Sequence, residues 1–457
     1  MRTFDLIIIG AGPAGYVGAI RAAQLGMKVG LIEKSKVGGT CLNWGCIPTK
    51  ALLQSSEIFR TAREGENWGV TAENVSYDID KAYSFMNDIK TKLQKGIEGL
   101  LKANKVEYIE GKAMFIDRHS VIVNDEIIGA DRFMIATGSK VAQPPVNGIE
   151  HAITSDIVTS VPTTGDSIAI IGGGVIGVEF ASHFLNLGKN VTIFEFQDQI
   201  LSVLDDDIVR HVTMHMKKEG AKLKTKTEVT KVEKQDDTFS VTYRAKETEN
   251  TEDFDLVISC VGRKPNTEGL GIDVIGLETL KGAIVINKHQ QTNIPTIYAV
   301  GDVTNKVQLA HYASAQAIAA VEHMAEVEPS QDLNVVPACI YTTPEVACVG
   351  LTEKECDGEI IVSKYMMAGN GKSMIAGQDR GIIKTIFDKE TKRLIGAHMF
   401  ASHATEMIGE YALAISNGLT AHEIAKTIHA HPTVNEALLE CVEESMGKAI
   451  HTLPKRK

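Results

Sequence analysis

Two glycine-rich turns of one form constrain the fold of this chain more than any other feature. The first turn is GAGPAG at residues 10–15, and the second is GGGVIG at residues 172–177. Each follows a short apolar run that ends at glycine, as a buried parallel strand does. Each then opens a helical segment that leads to a second apolar run. The sequence therefore predicts two strand–helix–strand units rather than a long array of repeats.

The glycines stand where a dinucleotide-binding unit needs them. Gly10 allows a tight turn, Gly12 lets the backbone approach a diphosphate, and Gly15 lets the helix and strand pack closely. The N-terminus of the following helix offers N–H donors and a positive dipole to the diphosphate. The second turn fills the same three positions with Gly172, Gly174 and Gly177. Both units are therefore predicted to be Rossmann-like dinucleotide sites.

An acidic residue ends the second strand of each unit. Glu33 and Glu195 each come 18 residues after the last glycine of their turn, and such a carboxylate can accept hydrogen bonds from both ribose hydroxyls. A carboxylate at Glu195 would repel a 2′-phosphate, and FQDQ at 196–199 offers no arginine to receive one. The second site is thus predicted to prefer NAD to NADP.

The length of 457 residues predicts about three domains. Proline-containing segments near 143–145, 264–266 and 336–337 are the predicted boundaries. They give a first domain at 1–143, a second nucleotide-binding domain at 144–265, a return to the first at 266–336 and a mixed α/β block at 337–457. We also expect a long helix at 77–103, a small antiparallel sheet at 106–131 and solvated hairpins at 233–252.

Charge and hydropathy narrow the function classes. A net charge of -11 excludes the basic stripe that nucleic acid requires. The sequence contains no uncharged apolar run that is long enough to predict a membrane span. The N-terminus leads from MRTFD directly into a predicted strand, and we expect no targeting segment. We therefore expect a cytoplasmic protein that binds neither nucleic acid nor membrane, and no metal site.

Two of the seven cysteines lie in the segment GGTCLNWGCIPTK at 38–50. A regular helix would splay Cys41 and Cys46, but Gly45 and Pro48 permit a distortion that brings them together. If the segment opens a helix, its dipole favours a thiolate. The spacing alone fits a redox pair and two buried thiols equally well. The remaining cysteines have no partner spacing and are predicted to be inert thiols: Cys260, Cys339, Cys348, Cys356 and Cys441.

With these motifs the chain resembles the flavoprotein disulfide reductases over essentially its full length. GGTCLNWGCIPTK resembles their redox-active disulfide motif, and its LNxGCIP form is most like that of the dihydrolipoyl dehydrogenase branch. ATGS at 136–139, YAVGD at 298–302, YTTPEVACVG at 341–350 and HAHPT at 429–433 follow in the family's order. The resemblance implies an α/β chain with two Rossmann-like domains and a C-terminal α+β interface domain.

The resemblance also implies the cofactors and their contacts. FAD would occupy the first site and NAD the second, and Cys41 and Cys46 would form the redox disulfide. Asp302 would hydrogen-bond the flavin's ribityl chain, and Lys50 would pair with Glu179 beside the flavin. The implied cofactor contacts further include Thr137, Gly138 and Gly262.

A histidine and a glutamate near the C-terminus supply the acid–base chemistry. His431 can exchange protons with a dithiol near neutral pH, and Glu436 can hold its other ring nitrogen. By resemblance this pair serves the active site of the other subunit, so a homodimer is expected. Four other histidines are expected to be structural: His311, His398, His403 and His429.

The implied activity is oxidation of protein-bound dihydrolipoamide to lipoamide, with NAD+ reduced to NADH. The implied partner is a lipoyl-bearing acyltransferase or the glycine-cleavage carrier protein. Alternatives within the family are glutathione-type reductases, which need arginines that this chain lacks, and mercuric reductase, whose C-terminal cysteine pair is absent from HTLPKRK at 451–457. A non-catalytic flavin-binding docking subunit is a third alternative.

This sequence departs from the usual family pattern at Trp44, Thr49 and Asn435. Of these, Trp44 would narrow the approach to the disulfide.

Overall fold

The structure is a computed structural model that describes residues 2–453. The last four residues of the HTLPKRK segment lie outside the described residues. Residues 2–141 form seven strands and four helices. The strands are β1 (Arg2–Ile9), β2 (Val29–Glu33), β3 (Glu107–Glu110), β4 (Met114–Asp117), β5 (Ser120–Val123), β6 (Glu126–Ile135) and β7 (Ser139–Val141). The helices are α1 (Pro13–Gln24), α2 (Gly39–Asn43), α3 (Cys46–Arg63) and α4 (Ile79–Ala103).

The first sheet has the strand order β3-β2-β1-β6-β5-β4. Its centre is parallel and buried on both faces, and Leu6, Ile7 and Ile8 of β1 are inaccessible to solvent. The predicted antiparallel sheet at 106–131 is wrong for its first strand, because β3 pairs in parallel with β2. Within the 106–131 segment, the antiparallel pairs are those of β4 with β5 and of β5 with β6. An alternating pattern fixes which face is buried but does not fix the direction of the partner strand.

Residues 153–259 build the second unit. Its strands are β8 (Ile153–Thr154), β9 (Ser167–Ile171), β10 (Asn190–Phe194), β11 (Lys222–Lys224), β12 (Thr227–Lys234), β13 (Phe239–Ala245), β14 (Thr248–Phe254) and β15 (Leu256–Ser259). Its helices are α5 (Ser155–Val158), α6 (Val175–Asn186) and α7 (Asp206–Lys218). A parallel sheet runs in the order β11-β10-β9-β15-β8. The hairpins β12–β14 are not solvated on both faces as predicted, because Val241 and Tyr243 are buried with Phe194.

Residues 263–324 return the chain to the first sheet. Their strands are β16 (Arg263–Pro265), β17 (Thr279–Leu280), β18 (Ala283–Ile284) and β19 (Ile297–Ala299), and their helices are α8 (Ile272–Ile275) and α9 (Ala310–Met324). Strand β19 pairs in parallel with the second half of β6, and α9 packs on α1. Strand β16 pairs with β7, so these two short strands form the connection between the two nucleotide-binding units.

The remaining described residues form an α+β block. Its strands are β20 (Ala338–Ile340), β21 (Glu345–Gly350), β22 (Ile360–Met366), β23 (Ile382–Asp388) and β24 (Leu394–Ala401). Its helices are α10 (Gly371–Ile375), α11 (Ala404–Ser416), α12 (Ala421–Ile424) and α13 (Glu436–Ser445). The sheet is antiparallel in the order β20-β21-β24-β23-β22, and α11 and α13 cover it. No helix within residues 2–453 is long and apolar enough to cross a membrane.

A buried charge cluster joins this block to the second unit. Lys384 of β23 has a side chain that is 1% exposed, and its amine lies 2.8 Å from carboxylate oxygens of both Asp205 and Asp207 and 2.6 Å from Glu353. Asp205 also accepts the N–H of Asp207 at the start of α7. The carboxylates compensate the buried ammonium, which would otherwise be costly to remove from water. The cluster therefore holds the beginning of α7 against the C-terminal sheet.

We predict that Lys384→Met destabilises the protein by about 3–5 kcal/mol, because it leaves the buried carboxylate of Asp205 without its cation. Urea unfolding of the variant and the parent measures the loss. The control is Lys389→Met, which removes an exposed partner of Glu359 and should cost less than about 1 kcal/mol. Equal unfolding midpoints for the two variants would contradict this interpretation of the cluster.

Candidate active site

The outer glycines of both turns are required by the fold itself. Gly10 has φ +103°, and a Cβ there would lie 2.4 Å from the carbonyl oxygen of Ala136. A Cβ on Gly15 would lie 1.7 Å from the carbonyl oxygen of Gly10. The second turn repeats this geometry, since Gly172 has φ +106° and a Cβ on Gly177 would lie 2.0 Å from the Gly172 carbonyl oxygen. No other residue fits these four positions without a shift of the backbone.

The middle glycines are different, because nothing in residues 2–453 fills the space beside them. A Cβ on Gly12 would meet only the Cα of Gly39, at 3.8 Å, and a Cβ on Gly174 would meet no atom within 4 Å. Both sit at the N-cap of the helix that the turn opens. The open space at a helix N-terminus fits a diphosphate that approaches the backbone closely.

The two acidic residues are held in the same way. Glu33 accepts the N–H of Ala11 at 2.7 Å and the N–H of Ser35 at 2.8 Å. Glu195 accepts the N–H of Gly173 at 2.6 Å and that of Gln197 at 2.7 Å. Each carboxylate oxygen keeps a lone pair for a second donor. Each glutamate is therefore aimed at its own turn and can still accept the hydroxyls of a ribose.

The residues around Glu195 bear on the predicted preference for NAD over NADP. Phe196 is 72% exposed, and a lysine distant in sequence joins the loop, since the N–H of Lys226 donates to the carbonyl oxygen of Gln197 at 2.7 Å. The nearby amine of Lys224 is engaged by Glu252 and Tyr243. Local sequence reasoning missed both lysines because they come from the strand segment after α7. The carboxylate of Glu195 would still repel a 2′-phosphate.

The helix breaks between the two cysteines of the 38–50 segment. Cys41 lies on α2 and Cys46 is the first residue of α3, with Gly45 as its N-cap. A Cβ on Gly45 would lie 3.1 Å from the carbonyl oxygen of Thr40 and 3.4 Å from the Cα of Cys41, so glycine permits the close return of the chain. Both residues are free thiols here, and they are hydrogen-bonded to each other. The predicted distortion at Gly45 is confirmed.

Buried polar side chains fix this segment. The amide of Asn43 donates to the carbonyl oxygens of Val37 and Gly39, at 3.1 and 2.8 Å. Thr159, from the end of α5, donates to the carbonyl oxygen of Trp44 at 2.8 Å. Thr159 was not singled out in the sequence and Asn43 appeared only as part of the LNxGCIP motif, because nothing local marks such contacts. The sulfur pair therefore rests on a rigid support.

The two sulfur atoms differ in their electrostatics. The hydrogen bond from Cys41, aided by the charge of Lys50, outweighs burial and lowers the pKa of Cys46 to about 7. The same hydrogen bond and burial raise the pKa of the Cys41 thiol. Cys46 also stands at the N-terminus of an 18-residue helix, where the dipole favours an anion. Cys46 is therefore the sulfur that carries negative charge in the dithiol form.

Lys50 is held by a buried carboxylate. Its amine lies 2.9 Å from both oxygens of Glu179 on α6, whose side chain is 4% exposed, so the predicted pair is present. Tyr341 completes the arrangement, since its N–H donates to Glu179 at 3.0 Å and its ring lies 4.6 Å from the Lys50 amine. Tyr341 comes from the C-terminal block, and the only sequence signal for it was the YTTPEVACVG motif.

The cysteine segment packs directly on the first glycine-rich turn. A Cβ on Gly39 would lie 2.6 Å from the Cα of Gly12, and the N–H of Gly38 donates to the carbonyl oxygen of Ala11 at 2.8 Å. The sulfur pair is thus built onto the edge of the first dinucleotide site.

The other implied cofactor residues gather at the β7–β16 connection. The hydroxyl of Thr137 donates to the carbonyl oxygen of Asn266 at 2.7 Å, and the N–H of Asn266 donates to that of Gly138 at 2.9 Å. Gly138 and Gly262 have positive φ and open space around a would-be Cβ. Asp302 accepts the hydroxyl of Ser139 at 2.6 Å. These residues leave room for a ligand, but their contacts with one stay a prediction.

His431 and Glu436 form the predicted pair, with Nδ1 of the ring 2.9 Å from the carboxylate. Burial would raise the pKa of Glu436, but the N–H of Thr433 and the ring of His431 outweigh it and lower the pKa. The imidazole side chain is 82% exposed. Within the described chain, no hydrogen bond or ion pair links it to the cysteine segment. The pair therefore faces outward, as a residue that serves another subunit must.

The remaining cysteines and histidines have ordinary environments. Burial raises the pKa of Cys260, Cys339 and Cys441 to about 12 and that of Cys348 to about 11, and it also raises that of Cys356. His311 and His398 each contact a backbone carbonyl oxygen, and His429 pairs with Glu410. No three potential ligands are grouped around a metal position in residues 2–453.

Comparison with known families identifies this architecture. Residues 4–317 match the model described as pyridine nucleotide-disulphide oxidoreductase, and residues 336–442 match the dimerisation domain of the same group. Proteins named dihydrolipoyl dehydrogenase are similar over nearly the whole chain. The relative from Bacillus subtilis (strain 168) is 39% identical, covering 98% of this chain and 97% of its own. That from Staphylococcus aureus is 40% identical, covering 98% of both.

Solved structures give the same picture at lower identity. The HOCl-induced flavoprotein disulfide reductase RclA from Escherichia coli superimposes with a TM-score of 0.86 at 28% identity, covering 96% of this chain and 99% of that one. The fold of two nucleotide-binding units and an interface domain is thereby confirmed.

Replacement of the middle and last glycines of the second turn should separate ligand binding from folding. We expect Gly174→Ala to fold normally but to bind NADH at least about tenfold more weakly, because the added methyl group fills the space for the diphosphate. Gly177→Ala should instead lower the thermal stability, since its Cβ would overlap a carbonyl oxygen. Quenching of intrinsic fluorescence by NADH and thermal melts measure the two effects. Unchanged NADH affinity in Gly174→Ala would contradict the assignment.

The thiolate of Cys46 should be visible in a pH titration. In flavin-free Cys41→Ser, whose hydroxyl can still donate, we expect the ultraviolet thiolate absorbance to rise with a midpoint of about 7. The double variant with Cys46→Ser provides the baseline. Lys50→Gln should raise the midpoint by about one pH unit and Lys50→Arg should not, because a nearby cation favours the thiolate. An equal titration midpoint in the Lys50→Gln and Lys50→Arg variants would contradict this explanation of the lowered pKa.

Proposed function

The chain belongs to the pyridine nucleotide-disulphide oxidoreductase family, and on that premise we propose that it is a dihydrolipoyl dehydrogenase. The enzyme oxidises protein-bound dihydrolipoamide to lipoamide and reduces NAD+ to NADH. One observation carries the proposal: the segment that holds a pair of adjacent thiols, one with a lowered pKa, packs on the turn of the first dinucleotide site. That placement suits exchange of electrons between a dithiol and a bound dinucleotide cofactor.

The cofactors are FAD and NAD(H), as used by the family. Gly12 and Glu33 of the first turn would hold FAD, with Thr137, Gly138, Gly262 and Asp302. Gly174 and Glu195 of the second turn would hold NAD. When bound, the two cofactors supply the two-electron chemistry that returns the cysteine pair to its disulfide. The two ribose-binding carboxylates are already in place, since Glu33 and Glu195 each accept a backbone N–H of their own turn.

His431 acts as the proton acceptor for the substrate dithiol. Because Glu436 is ionised and can only accept, the neutral ring donates from Nδ1, and Nε2 is left as the base. Glu436 is itself oriented by the N–H of Thr433, at 2.8 Å. The carboxylate thus fixes the tautomer and the direction of the ring.

Thiol–disulfide exchange then proceeds through the two cysteines. The substrate thiolate attacks Cys41 of the disulfide, the Cys41–Cys46 bond breaks, and Cys46 leaves as a thiolate. The helix N-terminus and Lys50 stabilise that charge. The second substrate sulfur, after losing its proton, attacks the first and forms lipoamide, and Cys41 is released and protonated. The two substrate sulfurs are oxidised and the enzyme disulfide is reduced by one electron pair.

The dimerisation domain supports a homodimer, and we propose that His431 of one subunit serves the sulfur pair of the other. The proposed partner is a lipoyl-bearing acyltransferase of a 2-oxo acid or acetoin dehydrogenase complex, or the glycine-cleavage carrier protein. We propose a cytoplasmic location, where reducing conditions suit five further cysteines that are all free thiols.

Replacing Cys46 by Ser should abolish NADH formation from dihydrolipoamide, because the variant cannot form the disulfide that the substrate thiolate attacks. FAD should remain bound, so the visible flavin spectrum of the variant is the control for folding. Parallel assays with glutathione disulfide and Hg2+ distinguish the other reductases of the family. Turnover by Cys46→Ser, or preference for one of those substrates in the parent, would count against the proposal.

Mixed dimers test whether the active site is shared. Co-expression of Cys46→Ser chains with His431→Gln chains should give heterodimers with about half the parental activity, because one of the two sites then holds both intact partners. Each homodimer should be inactive. If the site lay within one subunit, the isolated heterodimer would be as inactive as the homodimers.

A further inference from the structure

A directional chain of hydrogen bonds runs from Arg263 through Ser139 to Asp302. The guanidinium Nε donates to the Ser139 hydroxyl oxygen at 2.9 Å, and the hydroxyl donates to Asp302 at 2.6 Å. Arginine can only donate, and serine has one hydroxyl hydrogen, so the direction of the chain is fixed. The guanidinium thereby polarises the Ser139 hydroxyl, which donates to one oxygen of the Asp302 carboxylate.

The same guanidinium makes two further contacts. One terminal nitrogen donates to the backbone carbonyl oxygen of Ser139 at 3.0 Å, and the other lies 3.2 Å from the carboxylate of Asp156. Ser139 begins β7, and Arg263 begins β16, its antiparallel partner. Asp156 lies on α5, in the second nucleotide-binding unit. One side chain therefore contacts the connection between the units, the second unit and, through Ser139, Asp302.

The connection does not need this charge to hold its own strands together. Backbone hydrogen bonds close it on both sides, from Ala142 to Gly262 at 3.0 Å and from Asn266 to Gly138 at 2.9 Å. The Arg263 side chain is nevertheless only 13% exposed, and Ser139 is buried. Burying a guanidinium is costly unless its donors are matched by acceptors. We therefore attribute the buried position of Arg263 to its contacts with Ser139 and Asp156 rather than to the pairing of the two strands.

We propose that Arg263 is a positioning residue that orients Asp302 toward the flavin through Ser139 and ties the second unit to the same point through Asp156. This inference rests on the proposed FAD site and adds residues that the family motifs did not assign to it. Burial raises the pKa of Asp302, while the Ser139 hydrogen bond and the charge of Arg263 act against that rise. Loss of Arg263 would thus favour the protonated carboxyl and release its orientation.

The test titrates FAD into flavin-free protein and follows the quenching of flavin fluorescence. Arg263→Met and Ser139→Ala should each weaken FAD binding about tenfold or more, as expected for loss of a hydrogen bond to a charged group. Ser139→Thr keeps the hydroxyl and should bind like the parent. The thermal stability of each flavin-free variant is measured alongside, and Ser139→Ala decides the matter if Arg263→Met does not fold.

Asp156→Asn tests the contact of Arg263 with the second unit separately from its contact with Ser139. It should leave FAD affinity and kcat unchanged while raising the KM for NAD+ severalfold, because only the contact with the second unit is weakened. The inference is overturned if the parent binds FAD and both Arg263→Met and Ser139→Ala bind it equally tightly. A parent protein that binds no FAD would instead overturn the proposed function.

Discussion

The contact between the cysteine segment and the first glycine-rich turn is the constraint on which the active site depends. Two glycines make it possible, because a Cβ on Gly39 would lie 2.6 Å from the Cα of Gly12. The backbone approaches here so closely that the segment cannot shift without moving the turn. The sulfur atoms therefore stay at the edge of the dinucleotide site. This packing supports the proposed exchange of electrons between the sulfur pair and a bound cofactor, since that exchange requires contact.

The electrostatics of the sulfur pair come from three parts of the chain. The break at Gly45 puts Cys46 at a helix N-terminus, α3 places Lys50 one turn later, and α6 supplies Glu179. Glu179 holds the lysine in place, although its own charge opposes the thiolate. Tyr341 of the C-terminal block covers the ion pair. The interface domain thus contributes to this site as well as carrying the outward-facing His431.

The sequence predicted features that are encoded locally. The strands and helices around the two turns form where the sequence predicted them, because each first apolar run ends at a glycine and a helix begins in the turn that follows. The pairs of Lys50 with Glu179 and of His431 with Glu436 were found through resemblance and residue chemistry. The sequence could not reveal the contacts of Thr159, Tyr341 and Arg263, since each contact joins residues far apart along the chain. The predicted antiparallel pairing of β3 was wrong for the same reason, because the partner of a strand is set by contacts between distant parts of the chain.

The central claim is that Cys41 and Cys46 exchange electrons with the substrate. The most direct measurement adds dihydrolipoamide, without NAD+, to the air-oxidised, flavin-loaded protein, followed by acid quenching, alkylation and mass spectrometry of the peptide that spans residues 38–50. We expect that neither cysteine is alkylated before substrate is added and that both are alkylated afterwards, while the other five are alkylated throughout under denaturing conditions. Two cysteines that are alkylated equally before and after substrate would contradict it.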